Sequence, residues 1–288
     1  MTKALRRSRK RLIVETGIRC LLYITLILTS IIILIPLFWM VSTALKNLDE
    51  VFIFPPEWIP KSPVWSNFKE ALTFLPFGLF FKNTTVITFS TMLGQILSAS
   101  LVAYGFARLR ARGRDLLFML VLATMMIPSQ VTMIPTFILF SLLGWVNTFK
   151  PLIIPSYFGG GAFFIFLLRQ FYMTIPLELD DAARIDGCGY FDIYWRILLP
   201  LIKPGLATVA IFSFMWTWND FMGPLIYLNS FEKLTIALGL SRFTGMYGMS
   251  AWNLLMAASL VATLPCLLLF FFAQKYFIQG VVITGLKG

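Results

Sequence analysis

Long apolar stretches recur along this chain of 288 residues and constrain its fold more than any other feature. A helix needs about 20 mostly apolar residues to cross the hydrocarbon core of a bilayer. Charged residues make up only 13% of the chain, against about 25% in soluble domains, which excludes a soluble globular protein. We therefore predict an all-α membrane protein with six transmembrane helices, at residues 20–42, 84–105, 116–140, 152–171, 205–228 and 254–277.

Prolines and small residues distinguish some of these stretches from the others. Pro128 and Pro135 interrupt the third stretch, and because proline lacks an N–H group, we predict a kink or break there. The second stretch is rich in glycine, alanine, serine and threonine, which allow helices to approach closely in lipid, so it is predicted to lie inside the bundle. Five prolines within residues 43–83 predict loops and short helices at the outer surface.

Basic residues are distributed asymmetrically between the two sides of this six-span arrangement. Most of the 24 lysines and arginines lie in residues 1–19, in the loops after the second and fourth spans, and after the sixth span. Cytoplasmic loops carry such an excess, so both termini are predicted to be cytoplasmic. Residues 1–19 then form a basic cytoplasmic tail and residues 20–288 a transmembrane domain. The formal charge of +11 is explained by topology and by membrane lipid as a partner, and no nucleic-acid partner is expected.

Several classes of chemistry are excluded by composition. The chain has no histidine, which removes His-based acid–base catalysis and His-ligated metal sites. Its three cysteines are scattered and predict neither a disulfide framework nor a metal site. No G-x-x-x-x-G-K-S/T phosphate loop occurs. The first apolar stretch is too long for a signal-peptide core and lacks a cleavage site, so it is predicted to be a retained anchor.

A short polar segment, residues 176–204, stands out between the fourth and fifth spans. Glu178, Asp180 and Asp181 favour the start of a helix after Pro176. Gly187 is typical of a helix end. A second amphipathic turn follows, whose apolar residues recur at helical spacing: Phe191, Tyr194, Trp195 and Leu198. The segment is therefore predicted to be a short helix lying on the membrane surface.

Two interpretations of this segment remain open on physical grounds alone. Ala182 and Ala183 are small enough to enter a groove on a partner protein, and the flanking aspartates could meet cationic groups at its rim. The other interpretation is a solvated interfacial loop without a partner.

Part of this segment has a recognisable order of residues: 181–187, followed by Phe191, Ile197, Leu199, Pro200 and Pro204. This order resembles the EAA loop of permease subunits of binding-protein-dependent ABC importers. Asp181 stands where glutamate is usual, and Cys188 where alanine is common. Residues 103–109, 128–135, 218–225 and 276–288 resemble the carbohydrate-uptake branch, specifically the maltose-permease second-subunit type. The likeness covers most of residues 20–288.

This resemblance implies a type I ABC importer permease fold and a non-catalytic membrane subunit without catalytic residues or a bound cofactor. ATP and Mg would sit on two separate ATP-binding subunits, and the further partners would be a second homologous permease subunit and an extracytoplasmic solute-binding protein. The location would be the cytoplasmic (inner) membrane of a bacterium or archaeon. The implied solute is a sugar, oligosaccharide, polyol or glycerophosphodiester. Residues 176–204 would contain the coupling helix, with the ATPase-coupling residues Glu178, Asp181, Ala182, Ala183, Asp186, Gly187, Phe191 and Pro200.

Polar residues within the apolar stretches are candidates for a solute path. Trp216 to Asp220 lie about 18–24 Å into the fifth span if the helix begins near Pro204. The charge of Asp220 must then face the bundle or a wet cavity. One interpretation places these residues on the path, and the other makes them helix–helix hydrogen bonds or outer-gate contacts. The candidates are Trp216, Asn219, Asp220, Gln130 and Asn253.

Two other functional classes compete with the importer interpretation. A secondary transporter or channel, not driven by ATP, would equally explain six spans with internal polar residues, but it would not need the acidic segment at 176–204. An intramembrane aspartyl protease needs two membrane carboxylates, and Asp220 is the one good candidate.

Overall fold

The computed structural model describes the backbone of residues 2–243 and 251–285, and the side chains of residues 16–243 and 251–274. Within these ranges the secondary structure is helical, without β-strands, as predicted. The α-helices are α1 (Thr2–Ala44), α2 (Ser66–Phe74), α3 (Phe77–Arg108), α4 (Arg114–Ala123), α5 (Ser129–Leu142), α6 (Lys150–Ile153), α7 (Ala162–Met173), α8 (Glu178–Ile185), α9 (Tyr190–Asp192), α10 (Leu199–Leu201), α11 (Lys203–Trp218), α12 (Met222–Tyr227), α13 (Ile236–Leu240) and α14 (Trp252–Gly285).

Six membrane crossings are compatible with these helices. Four segments of the described chain are long and apolar enough to span a bilayer: Thr16–Ala44, Phe77–Arg108, Lys150–Met173 and Trp252–Gln274. Two further pairs qualify if each bent pair is one span: Arg114–Met126 with Ser129–Leu142, bent by 99°, and Tyr190–Leu201 with Lys203–Trp218, bent by 77°. The basic tail and the first span form one continuous helix, α1.

The third predicted span is broken at Pro128, the first of its two prolines, as the sequence predicted. Pro128 adopts an extended conformation and precedes α5, so the helical path turns sharply between Met126 and Ser129. Pro135 lies inside α5 without ending it. Of the two prolines, only Pro128 therefore separates two helices.

The fifth predicted span, residues 205–228, is wrong in its extent. Helix α11 ends at Trp218, and α12 begins only at Met222. The Asp220 carboxylate accepts a hydrogen bond from the N–H of Gly223 at 3.1 Å, a local contact that competes with helical hydrogen bonding. Pro224 has no N–H to continue the helix. Asp220 consequently lies in a turn rather than within a continuous spanning helix.

The chain divides into two compact units, the first formed by residues 1–71 and 243–261 and the second by residues 72–242 and 262–288. In the first unit, Lys46 is 1% exposed. Its ammonium group donates to the carbonyl of Glu57 and lies 4.4 Å from the ring centroid of Trp39. Asn67 donates to the carbonyls of Ala44 and Lys46 at 2.9 and 2.8 Å. These contacts satisfy the polar groups where α1 ends.

The second unit is organised around α3, which packs against α7 and α11. Its small polar residues bond to neighbouring backbone: Thr91 donates to the carbonyl of Leu152 at 3.0 Å, and Ser98 to that of Ser156 at 2.7 Å. A β-carbon at Gly94 would overlap the side chains of Ser156 and Tyr157. The small residues of this span therefore make the close helix contacts that the composition predicted.

Candidate functional site

Helix α8 forms at the centre of the 176–204 segment, and its C-terminus is closed by a Schellman motif. The N–H of Cys188 bonds to the carbonyl of Ala183 at 2.9 Å, and the N–H of Gly187 to that of Arg184 at 3.0 Å. Gly187 adopts φ +83°, the left-handed conformation that this motif requires. The helix stop predicted at Gly187 is confirmed, whereas Pro176 precedes the helix by two residues instead of lying in its first turn.

A buried ion pair attaches α8 to the end of α3. Arg108 Nη1 lies 3.0 Å from Asp180 Oδ2, an ion-pair contact rather than a well-aligned hydrogen bond. The two side chains are only 2% and 5% exposed. Arg108 Nη2 also donates to the carbonyls of Tyr172 and Ile175 at 2.6 and 2.7 Å. One guanidinium group therefore joins α3, the end of α7 and α8.

The two alanines of α8 lie in different environments. Ala183 is 5% exposed and belongs to the apolar core of the second unit, so the expectation that both alanines enter a partner's groove is wrong for Ala183. Ala182 is exposed, because it lies a third of a turn from its neighbour on the helix. Ile185, the next apolar residue on the outward side, is 87% exposed. The outward face thus combines Ala182 and Ile185 with the exposed acidic residues Glu178, Asp181 and Asp186.

The aromatic residues that follow α8 do not share one face, contrary to prediction. Tyr194 and Leu198 are buried, whereas Phe191 and Trp195 are exposed and stack on each other with centroids 6.4 Å apart. Residues Ile193–Leu198 form a π-helical turn, whose i→i+5 bonding changes the spacing of side chains. The exposed Pro200 follows this turn and has no N–H to bond to the preceding residues.

Two tyrosines connect this second part of the segment to α3. Tyr194 and Ser100 share a hydrogen bond between their hydroxyl groups at 2.8 Å. Tyr104 donates to the carbonyl of Tyr190 at 3.0 Å. Together with Arg108, Ser100 and Tyr104 recur along one side of α3, so three points between Asp180 and Tyr194 are attached to that helix.

Most of the spans, together with the 176–204 segment between them, belong to a region that matches a known family. Residues 95–283 match the model of the binding-protein-dependent transport system inner membrane component, which is more than half of the chain. The chain belongs to this family. It is therefore a multi-pass permease subunit of an ABC transport system that depends on a binding protein, and it is not itself an enzyme.

Individual relatives resemble this permease over most of its length. The arabinooligosaccharides transport system permease protein AraQ of Halalkalibacterium halodurans is 36% identical over 250 residues, which cover 86% of each chain. The sn-glycerol-3-phosphate transport system permease protein UgpE of Yersinia pestis is 31% identical, covering 92% of this chain and 96% of the relative.

The fold is also that of a solved importer. A crystal structure of a bacterial ABC transporter involved in the import of the acidic polysaccharide alginate matches with a TM-score of 0.79 at 22% identity. The match covers 88% of this chain and 94% of the other. The permease therefore has the type I ABC importer fold that the sequence predicted.

A cavity in the second unit of the permease brings together two of the predicted solute-path residues. It has a volume of about 350 Å³, and Trp216 and Asp220 both line it. Four threonines from α3, α11 and the segment before α13 add hydroxyl groups to its wall: Thr84, Thr91, Thr217 and Thr235.

The other predicted solute-path residues lie elsewhere. Asn219 directly follows α11, where it donates to the carbonyl of Met215 at 2.8 Å and contacts Cys266 Sγ at 3.9 Å. Gln130 is exposed near the start of α5. Asn253 belongs to the first unit, where it donates to the carbonyl of Lys46 at 3.4 Å.

Sequence reasoning missed the residues that fix these sites in place. The charge asymmetry accounts for Arg108 only as one of the basic residues after the second span, and Asp180 is accounted for as an acidic residue near a helix start. Thr235 could not be recognised as a site residue from the sequence, because a single threonine in a loop is common. A pairing between residues so distant in sequence leaves no trace in local periodicity.

Proposed function

We propose that this permease couples to a separate ATP-binding subunit through the outward face of α8. The observation that carries the proposal is the division of that short helix into two faces. Asp180 and Ala183 hold it against the permease, while Ala182 and Ile185 remain uncovered. An isoleucine that is 87% exposed beside small and acidic residues has the composition of a contact surface rather than of a solvated loop.

The proposed partner has a shallow groove with cationic groups at its rim. Ile185 and Ala182 would supply the apolar contact, and Glu178, Asp181 and Asp186 would meet the basic groups. Gly187 ends the helix, and Phe191 and Pro200 shape the segment that continues from it. Ala183 would hold α8 against the permease and would not contact the ATPase.

The full assembly that we propose contains two ATP-binding subunits that carry ATP and Mg, a second homologous permease subunit and an extracytoplasmic solute-binding protein. The relatives named for arabinooligosaccharides and for sn-glycerol 3-phosphate support a sugar, oligosaccharide, polyol or related phosphodiester as the solute. We place both termini and α8 on the cytoplasmic side of a bacterial or archaeal inner membrane. Residues 1–19 would then be a cytoplasmic tail, followed by the permease domain.

ATP would drive transport because the conformation of the ATPases is linked to that of the spanning helices. Closure of the paired ATPases moves α8, and α8 is fixed to α3 and α7 through Arg108. Nucleotide can shift the permease between inward- and outward-facing states only through different affinity for the two states. The rigid attachment of α8 is what allows this difference to reach the spanning helices.

The test is Ala182→Arg in the permease expressed with its operon neighbours. The long cationic side chain would block the groove and place like charge against its basic rim, so the ATPase should no longer co-purify and ATP-dependent uptake should stop. Ala111→Arg is the matched control, since Ala111 is exposed in the loop between α3 and α4. Normal co-purification and uptake by the Ala182→Arg permease would refute docking on this face.

A further inference from the structure

The cavity of the second unit contains a buried hydroxyl group that nothing in the described structure uses. Thr235 is 4% exposed, and its Oγ1 has no hydrogen-bond partner among the described residues. By contrast, Thr84 Oγ1 accepts from the N–H of Ile236 at 2.8 Å, and Thr91 Oγ1 donates to the carbonyl of Leu152. Buried polar groups are nearly always paired, so the unpaired Thr235 hydroxyl at the cavity wall indicates a group that enters from outside.

Asp220 supplies the second polar group and the charge of this cavity. Its Oδ1 accepts from the N–H of Gly223 at 3.1 Å, which fixes the carboxylate in place. A carboxylate offers about four acceptor sites, so acceptor capacity remains for a ligand. Among the described residues that line the cavity, none is a lysine or an arginine. A bound anion would face the carboxylate without a compensating cation, whereas neutral hydroxyl groups would donate to it.

The size and the remaining wall of the cavity limit the ligand further. Its volume of about 350 Å³ lies near the lower end of the roughly 300–1,000 Å³ of small-molecule sites, enough for one ring but not for an oligosaccharide chain. Trp216 presents an indole that is half exposed, a side chain with a large apolar surface. A wall with one aromatic surface and several oxygen groups matches a molecule that has both C–H and O–H faces.

We propose that this cavity binds one neutral, hydroxyl-rich unit of the transported solute, a sugar ring or a small polyol. Thr235 and Asp220 form hydrogen bonds to its hydroxyl groups, and Trp216 contacts its apolar face. The inference rests on the importer function proposed above and adds to it that this permease contacts solute itself. It also implies that an anionic unit, such as a phosphate ester, is disfavoured at this position.

The variant Thr235→Val tests the contribution of this hydroxyl group to ligand binding without lowering the stability of the fold. Valine has nearly the same shape, and removing a buried hydroxyl without a partner should leave the fold as stable as before or more stable. Loss of one neutral hydrogen bond should weaken a neutral ligand by about fivefold. Thr85→Val is the matched control, because Thr85 belongs to the same unit but its hydroxyl donates to the carbonyl of Phe81 within α3.

The measurement is saturation-transfer NMR on the complete transporter in nanodiscs, with L-arabinose, D-glucose and glycerol as neutral probes and glycerol 3-phosphate as the anionic probe. The proposal expects signals from a neutral probe that fall in Thr235→Val and persist in Thr85→Val. It is overturned if no neutral probe gives a signal, if Thr235→Val keeps the signal, if Thr85→Val loses it equally, or if glycerol 3-phosphate binds as strongly as glycerol. Stimulation of ATP hydrolysis by the binding protein, measured on the same wild-type sample, tests the importer function separately.

Discussion

At the scale of single residues, Arg108 and Asp180 determine where α8 lies. Their ion pair is buried, and a buried pair is not in itself strong evidence for stability, because desolvation offsets the attraction. The pair matters for the position of α8 because the Arg108 guanidinium also donates hydrogen bonds to the carbonyls of Tyr172 and Ile175. Removal of one partner leaves the other charge buried without compensation.

Asp180→Asn should therefore destabilise the permease by about 3–5 kcal/mol, the usual cost of an orphaned buried charge. Asp181→Asn, one residue along the same helix, should change stability by no more than about 0.5 kcal/mol. Its contact with Arg184 is 3.7 Å long, and its side chain is 71% exposed. Chemical denaturation of the purified permease measures both variants, and equal losses would show that the Arg108–Asp180 pair does not hold α8.

At the scale of secondary-structure elements, the Schellman motif defines the end of α8. Gly187 has φ +83°, and a β-carbon there would meet no atom within 4 Å. A substitution at Gly187 is therefore costly because of backbone strain and not because of size.

Gly187→Ala should weaken the end of α8 by about 1 kcal/mol, since only glycine adopts the left-handed conformation without cost. The amide hydrogens of Gly187 and Cys188 should then exchange about fivefold faster. Gly189→Ala is the control, because Gly189 has φ −74° and a β-carbon would meet only Asp192 Oδ2 at 3.8 Å. Hydrogen-exchange mass spectrometry measures both variants, and identical exchange would contradict the role of the motif.

Some helix ends could be predicted from sequence, because local chemistry determines them. Gly187 and Pro128 were recognised by their backbone preferences, and both separate helices. The end of α11 was missed, because the apolar residues beyond Asp220 outweighed its turn-forming contact with Gly223. The two faces of the aromatic turn could not be predicted, since a π-helical turn changes the spacing on which such a prediction rests.

At the scale of the whole molecule, two surfaces are exposed among the residues that the structure describes. The apolar part of α1 has no buried residue in its most hydrophobic window, so lipid or another subunit must cover it. The outward face of α8 is uncovered as well, although its inner side is attached firmly to α3. Both surfaces are consistent with the family to which the chain belongs, an inner membrane component of a larger transport system.

The most direct test of this account is photocrosslinking from position 185 in the assembled transporter. A photoreactive amino acid in place of Ile185 should form a covalent adduct with the ATP-binding subunit, because that side chain is 87% exposed on the proposed docking face. The same amino acid in place of Ala111, exposed in the loop after α3, should give little or none of this adduct. Absence of the adduct from position 185, or equal yields from both positions, would contradict docking of the ATPase on α8.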